Sequence, residues 1–457
     1  MIASKKLFDV YTVILILFCF IEVLFYEDNE AQFLFSVLEY LLCTFLLLTN
    51  TNKGIIYFVS FTLLSLGVGN FYNDDLPNNF WGLRIGIFSV NIIYSIFITI
   101  YVLLVNKKNT IVKFNFFYKF LLVFFLYGIV RGIIAVAINE NFLDNFFKDL
   151  MTYFPLFIYI YLLKQLKSTD YEKIFISTVL ASIFLLFFAF IFDRKFKYGN
   201  NYFLVQNTVC NVILISIFLL RKKINIFYYV MICLVFLFFI INGLYFLSGK
   251  IIITLLLFLF INLLKNKNFR IIFLPVLILL FFQFNFVLDF LVDFFHGNVI
   301  SFKLEQIKSL INISSIAIVS KSHTSIGNLL SEIMTTTSYF LDNTLLFFVG
   351  KGFGGGIPDV LGLLKVWIDL AGYNEIDAAR NDYFKMHLPI TEMFVKGGVF
   401  MVILYLFVLY SVSKYKNSYT ILFIFMFFLF FYISKENLLY TILLFNIMIV
   451  KNEDKLI

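Results

Sequence analysis

GKGFGGG (Gly350–Gly356) and NDYFKMHLPITEMFVKGG (Asn381–Gly398) end the one long segment of this chain, Phe290–Leu388, that is not continuously apolar. The segment holds all three histidines (His296, His323, His387), the densest glycine cluster and nine acidic residues. On either side of it apolar runs follow one another, and about 17 to 25 such residues are what a helix needs to cross a hydrocarbon core. Reactive groups are therefore expected in this segment and on the helix ends that face it.

The chain has 457 residues, 61% hydrophobic and 14% charged, with a mean hydropathy of +0.94. That leaves too little polar surface for a soluble protein of this length and predicts an all-α polytopic membrane protein. The alternating ten-residue segments of a membrane β-barrel are missing. Leu7–Phe25 follows Lys5 and Lys6 as a signal peptide would, but no small-residue cleavage site follows it, so a retained first helix is expected. Cys19, Cys43, Cys210 and Cys233 all lie inside apolar runs and read as packing residues. The net charge of +8 comes mainly from short interhelical loops, the pattern of cytoplasmic loops and not of a nucleic-acid patch.

Fourteen spans are expected, near 7–26, 33–49, 55–71, 83–105, 116–138, 150–164, 172–192, 203–220, 226–247, 250–264, 270–290, 389–412, 418–433 and 436–450. Eleven fall in 1–290, the long loop is 291–388, and three occupy 389–457. Basic and non-basic connections alternate, which puts both termini in the cytoplasm and the long loop outside. DRKFKYGNN (Asp193–Asn201) is basic although external, and a basic cluster there asks for an anionic partner. A broken helix in place of the two spans at 226–247 and 250–264 would reverse the sides downstream. Within the loop, Ile326, Leu329, Leu330 and Ile333 recur at helical spacing, as do Leu304, Ile307 and Ile311, and Leu361, Leu364, Trp367 and Ile368. These read as amphipathic helices lying on the membrane surface or covering a cavity, or as a packed lid.

His387 precedes Pro389, a helix-start residue, and so sits at the mouth of the twelfth span. A histidine there suits a general base, and equally a hydrogen bond to a loop carbonyl. Glu392 and Lys396 form an i,i+4 pair on the same helix, which neutralises both if nothing else engages them. Arg131 lies inside the fifth span, roughly 12 Å from its outer end. It either faces a cavity or an anion, or snorkels to the headgroups. Gly128 and Gly132 flank it at a spacing that permits close contact. Arg84, Arg194, Lys250, Arg380 and Lys385 are external in this topology and could line a diphosphate pocket, or each be a solvated loop charge. GKGFGGG contains G-x-G-x-x-G outside any βαβ setting, so it reads as a flexible turn, with an amide nest for phosphate as the alternative. The histidines are too scattered for a metal motif.

The long late loop, His387 with Gly398 as H-x10-G, LFFVGKGFGGG as a glycine-rich loop stretch (Gly352, Gly354), and LSGKIIITLLLFL at the start of a span together resemble the O-antigen polymerase and O-antigen ligase family of bacterial envelope glycosyltransferases. Lys250 stands where that family usually has arginine, and no R-x10-G occurs in an earlier external loop. The resemblance implies a GT-C-like fold in the bacterial cytoplasmic membrane, with a periplasmic loop. It implies metal-independent, cofactor-free transfer of a glycan from undecaprenyl diphosphate. His387 would be the base, with Asp382 or Glu392 as substitutes, and Arg131, Arg194, Lys250 and Arg380 would meet the leaving charge. Partners by this resemblance are the lipid-linked oligosaccharide, membrane lipids and a chain-length regulator protein, with no nucleic acid. A lipid-linked oligosaccharide flippase is the competing class, although the single asymmetric loop lacks a transporter's repeated halves.

Overall fold

The computed structural model describes residues 9–25, 28–64, 80, 83–85, 88–105, 115–191, 197–198, 201–202, 286, 289–290, 292–293, 325–365, 373, 375–384, 386, 388–415, 418–430 and 435–453. Among these, helices dominate. In the first part of the chain they are α1 (Val10–Leu24), α2 (Asn29–Thr49), α3 (Thr51–Leu64), α4 (Val90–Val105), α5 (Phe116–Ala137), α6 (Leu143–Tyr153), α7 (Pro155–Lys164) and α8 (Ser168–Ile191). Then come α9 (Ser325–Asp342), α10 (Thr344–Val349), α11 (Glu375–Arg380), α12 (Pro389–Ser413), α13 (Ser418–Phe430) and α14 (Lys435–Glu453). Two antiparallel pairings, Arg84–Ile85 with Phe88–Ser89 and Lys197–Tyr198 with Asn201–Tyr202, are two residues per strand.

Polar residues set the helix ends. The Asp9 carboxylate accepts from Thr12 N at 2.9 Å to start α1, and Asp28 accepts from Glu30 N and Ala31 N to start α2. Asn139, with φ 60°, ends α5 in a Schellman turn, in which Glu140 N donates to Ala135 O at 2.8 Å and Asn139 N to Val136 O at 3.1 Å.

Glu30–Thr49, Phe116–Ala137, Leu143–Lys164 and Pro389–Ser413 are long and apolar enough to cross a membrane, and Val10–Leu24, Val90–Val105 and Leu438–Lys451 are shorter apolar helices. Large apolar side chains are exposed on these helices, among them Phe45, Leu104, Val130 and Phe407. Such a surface is unfavourable in water and suits lipid. Inside, α14 packs beside α13, α8 and α7, and α1 lies along α8. An aromatic core joins α5 to the last two helices: Phe117 lies 5.3 Å from Phe423 and 4.5 Å from Phe445 between ring centroids. Tyr118 Oη donates to Asn446 Oδ1 at 2.6 Å in the same layer. Cys19 and Cys43 are buried and free, as their apolar setting predicts.

Several expectations are corrected. The sixth span was expected at 150–164 after a loop at 139–145, yet helix runs from Leu143 to Lys164 with αR geometry at the Phe154 junction. The polar face of α6, Asn145 and Asp149, is buried against other protein groups instead of water, so the helix starts seven residues earlier. Arg84 lies in a two-residue strand pairing and does not open the fourth helix, which starts at Val90. Leu361 and Leu364 lie in a turn whose amides are gathered by Asp359: its carboxylate accepts from Leu363 N, Leu364 N and Lys365 N at 2.8 to 3.0 Å. Trp367, Ile368 and the run from Leu304 to Ile311 lie outside the described residues, as do most of the spans expected between 203 and 290.

Pro389 opens α12 as expected, but that helix is broken at Gly398, whose φ of 61° and ψ of −165° leave the helical region. The break exposes carbonyls that would otherwise bond along the helix, and the glycine-rich loop uses them. Lys351 N donates to Val395 O and Gly352 N to Lys396 O, both at 2.8 Å, and Phe353 N donates to Gly128 O of α5 at 2.8 Å. GKGFGGG is therefore no flexible turn; every residue in it is buried.

Gly352 has φ 75°, and a Cβ there would lie 2.2 Å from Gly132 N. Gly362 has φ 66° with open space around it. Gly362→Ala should therefore destabilise by about 1 to 2 kcal/mol from backbone strain alone, and Gly352→Ala by about 2 to 5 kcal/mol from strain plus overpacking. Thermal unfolding of both variants in the same detergent checks the difference; equal shifts would mean that the loop is not wedged against α5.

Candidate functional site

The glycine-rich loop carries its neighbours' polar groups into one buried cluster. Phe353 fills the notch over Gly128, where a Cβ would lie 2.3 Å from its ring, and stacks on Tyr153 of α6 at 5.1 Å. The small-residue pair on α5 thus receives this loop. Asn141 Nδ2 donates to Lys351 O at 2.7 Å and to Phe353 O at 3.0 Å, and Tyr127 Oη donates to Val349 O. Gly354 N donates to Asp149 Oδ2 at 2.7 Å, so this amide meets a carboxylate of the protein itself, where the nest reading required a phosphate.

Two lysines hold the end of the loop. Lys396 Nζ donates to Gly355 O at 2.9 Å, and Lys351 Nζ to Gly356 O at 2.8 Å. Lys396 also lies 2.6 Å from Asp149 Oδ2 and 3.5 Å from Glu392 Oε1, with the three side chains at most 2% exposed. The i,i+4 pair expected from the sequence is present, and the closer partner of the lysine is Asp149. Glu392 Oε2 accepts from Met386 N at 3.0 Å, which fixes the chain entering α12.

Asp382 is the third buried carboxylate. Asn381, with φ 48°, ends α11 in a left-handed turn, with Asp382 N donating to Asp377 O at 3.0 Å. Tyr383 and Ile357 then exchange backbone hydrogen bonds of 2.9 and 3.1 Å. This brings the Asp382 carboxylate against Gly356, where a Cβ would lie 2.6 Å from Oδ1. Lys351 Nζ stands 3.9 Å from Oδ1, and Asn145 Nδ2 donates to Oδ2 at 3.4 Å. These contacts are longer than those of Asp149. Burial raises the pKa of Asp382 above the ordinary carboxylate range, against the pull of Lys351. Burial likewise lowers that of Lys351, against the pull of Asp382.

Of the remaining sequence candidates, the described side chains are those of Arg131 and Arg380, each paired with an acid. Arg131 Nη2 pairs with Glu140 at 2.6 Å and its Nε donates to Gly350 O at 3.1 Å. Arg380 grips both oxygens of Asp144 at 2.9 and 3.0 Å and lies over the Phe142 ring at 4.5 Å. His387, Lys385, Arg194 and Lys250 lie outside the described residues, as does the side chain of Arg84. Among the described residues no three His, Cys, Asp or Glu side chains gather to hold a metal ion. Sequence reasoning missed Lys351, Asp149, Asn141 and Asn145. The signal available for Asp149 was a carboxylate in a run otherwise long enough to span, which calls for a buried partner.

Because Lys396 neutralises two buried acids, Lys396→Met should destabilise by roughly 3 to 5 kcal/mol, leaving uncompensated charge. Adding Asp149→Asn and Glu392→Gln should restore most of it, since both amides keep an oxygen to accept from Gly354 N and Met386 N. Unfolding curves of the single and triple variants check this; a triple variant no more stable than the single one would contradict the charge account.

No protein-family model, no curated protein and no solved structure matches this chain.

Proposed function

We propose that this protein is a membrane glycosyltransferase that polymerises oligosaccharide repeat units carried on undecaprenyl diphosphate, at the outer face of a bacterial cytoplasmic membrane. One observation supports it: of the three buried carboxylates around the glycine-rich loop, Asp382 has the longest ion pair, 3.9 Å to Lys351 against 2.6 Å for Asp149 and 3.5 Å for Glu392. Such a carboxylate is suited to take a proton and return it. An acceptor sugar hydroxyl loses its proton to Asp382 while its oxygen attacks the anomeric carbon of the donor glycan. The bond from that carbon to the diphosphate breaks, and the electron pair leaves with the phosphate oxygen. His387, five positions on, is the second proton carrier in this proposal. Arg380 at the rim, with Arg84, Arg194, Lys250 and Lys385, meets the departing charge, for which guanidinium geometry is well matched. Glu392 is assigned a structural role, because both its oxygens face groups of the α12 entrance. An O-antigen ligase would use the same chemistry with lipid A core as acceptor.

A flippase is favoured by a different observation, the break in α12 at Gly398 beside a buried lysine and two acids, since transporters place discontinuous helices at their sites. Purified protein incubated in detergent with the lipid-linked repeat unit separates the classes: an enzyme gives longer products with no compartment to cross, and a flippase leaves the substrate unchanged.

Asp382→Asn should lower elongation by about 10²- to 10⁴-fold, the usual contribution of a general base, while the protein still unfolds cooperatively. The rate should fall as pH drops through a pKa above the ordinary carboxylate range, because the base must be ionised. Full elongation by Asp382→Asn would remove the assignment.

A further inference from the structure

Helix α10 belongs to the long segment that is expected outside the membrane, yet its neighbours lie within a span. Phe340, at the end of α9, and Phe347 of α10 both meet Phe394 of α12, with ring centroids 4.8 and 5.5 Å apart. Phe348 reaches one turn further along α12, where a Cβ on Gly398 would strike its carbonyl. The chain then turns back. Lys351 N donates to Val395 O at 2.8 Å, and Ile357 exchanges hydrogen bonds with Tyr383, which precedes α12. Measured along α12, the segment goes in by about one turn and comes out on the side it entered.

Two helices give the depth. The exposed Lys414 caps the far end of α12, twenty residues after Phe394, and that length of helix makes about 30 Å, the thickness of a hydrocarbon core. Phe394 is thus near one boundary, and Gly398 lies about 6 Å inside it. On α5, Gly352 packs against Gly132, about 8 Å from the Ala137 end of that helix. The two counts agree.

The exposed surface is continuous at this depth. On α12 no residue from Thr391 to Gly398 is exposed, and the exposed apolar side chains start at Phe400 and go on with Ile403 and Phe407. Helix α10 and the glycine-rich loop cover the stretch before them. In its place α10 presents Leu345, 74% exposed, and Phe348, 56% exposed, while Leu346 on its other face packs in one core with Val395 and Ile357. Large apolar side chains exposed at the level of a span suit lipid, as those of α5 and α12 do. Asp342, two residues after Phe340, is exposed as well, and at that boundary a carboxylate stays hydrated.

We infer that α10 is a re-entrant helix: it dips into the leaflet at the Pro389 end of α12, lays Leu345 and Phe348 against acyl chains, and returns through the glycine-rich loop. The occupant of this face is the bilayer, because the face continues that of α12. The inference uses only the length and apolar character of α5 and α12 and is independent of the glycosyltransferase reading.

The test is fluorescence quenching of full-length protein in vesicles of phosphatidylcholine and phosphatidylglycerol. The native Trp81 and Trp367 are replaced by phenylalanine, and one tryptophan is added by Leu345→Trp or by Phe348→Trp. Both are exposed positions, so each variant should unfold as cooperatively as the parent. Lipids brominated on their acyl chains should quench either one as strongly as Ile403→Trp on α12, and iodide in the buffer should leave both unchanged. Ile376→Trp, at an exposed position of α11, should show the reverse. Iodide quenching of Leu345→Trp and Phe348→Trp at the level of Ile376→Trp would overturn the inference, since water would then bathe the helix. Quenching by neither agent would overturn it as well, since protein, such as a second copy of the chain, would then cover the face.

Discussion

An irregular run of backbone can lie among apolar helices only if its amides and carbonyls find partners there, since little water reaches them. The structure meets this constraint by breaking α12 at Gly398 and inserting residues 350–356 beside the break. Carbonyls freed from one helix, a carbonyl of α5, and the side chains of Asn141, Asp149, Lys351 and Lys396 receive the loop. The glycines are needed because the backbone passes within van der Waals contact of α5, α6 and α12 at once.

The charged cluster follows from that insertion. Lys396 reaches Gly355 O only by entering the interior, where a lone cation would be strongly unfavourable, and Asp149 and Glu392 compensate it. Lys351 reaches Gly356 O in the same way, and its nearest acid is Asp382 at 3.9 Å. Two lysines thus face three carboxylates, and the longest of the ion pairs, 3.9 Å, is that of Asp382. Structure and chemistry are tied through the same few backbone atoms. A change that loosens the loop is expected to move Asp382 as well.

Much of the architecture is legible in the sequence because hydropathy reports directly on exclusion from water. The predicted 116–138 and 389–412 coincide closely with Phe116–Ala137 and Pro389–Ser413, and the proline signal set the start of the latter. Hydropathy says nothing about what a buried polar group touches. Asn145 and Asp149 were assigned to a loop and its border because their partners, Asp382 and Gly354, are more than 200 residues away in the chain. GKGFGGG looked flexible because glycine permits both mobility and close packing, and only the facing Gly128 and Gly132 distinguish them. For α9, apolar periodicity gives an amphipathic helix without saying which face meets the interior, and it is the polar face of Asn328, Glu332 and Thr335 that is buried.

The loop is a buried wedge whose amides from Lys351 to Gly354 are bonded to α5, α6 and α12, and amide hydrogen exchange across residues 350–356 in detergent reads this directly. The amides of Lys351, Gly352, Phe353 and Gly354 should exchange as slowly as those of α5 and α12. Exchange of these four at the rate of a solvent-exposed glycine turn would contradict it.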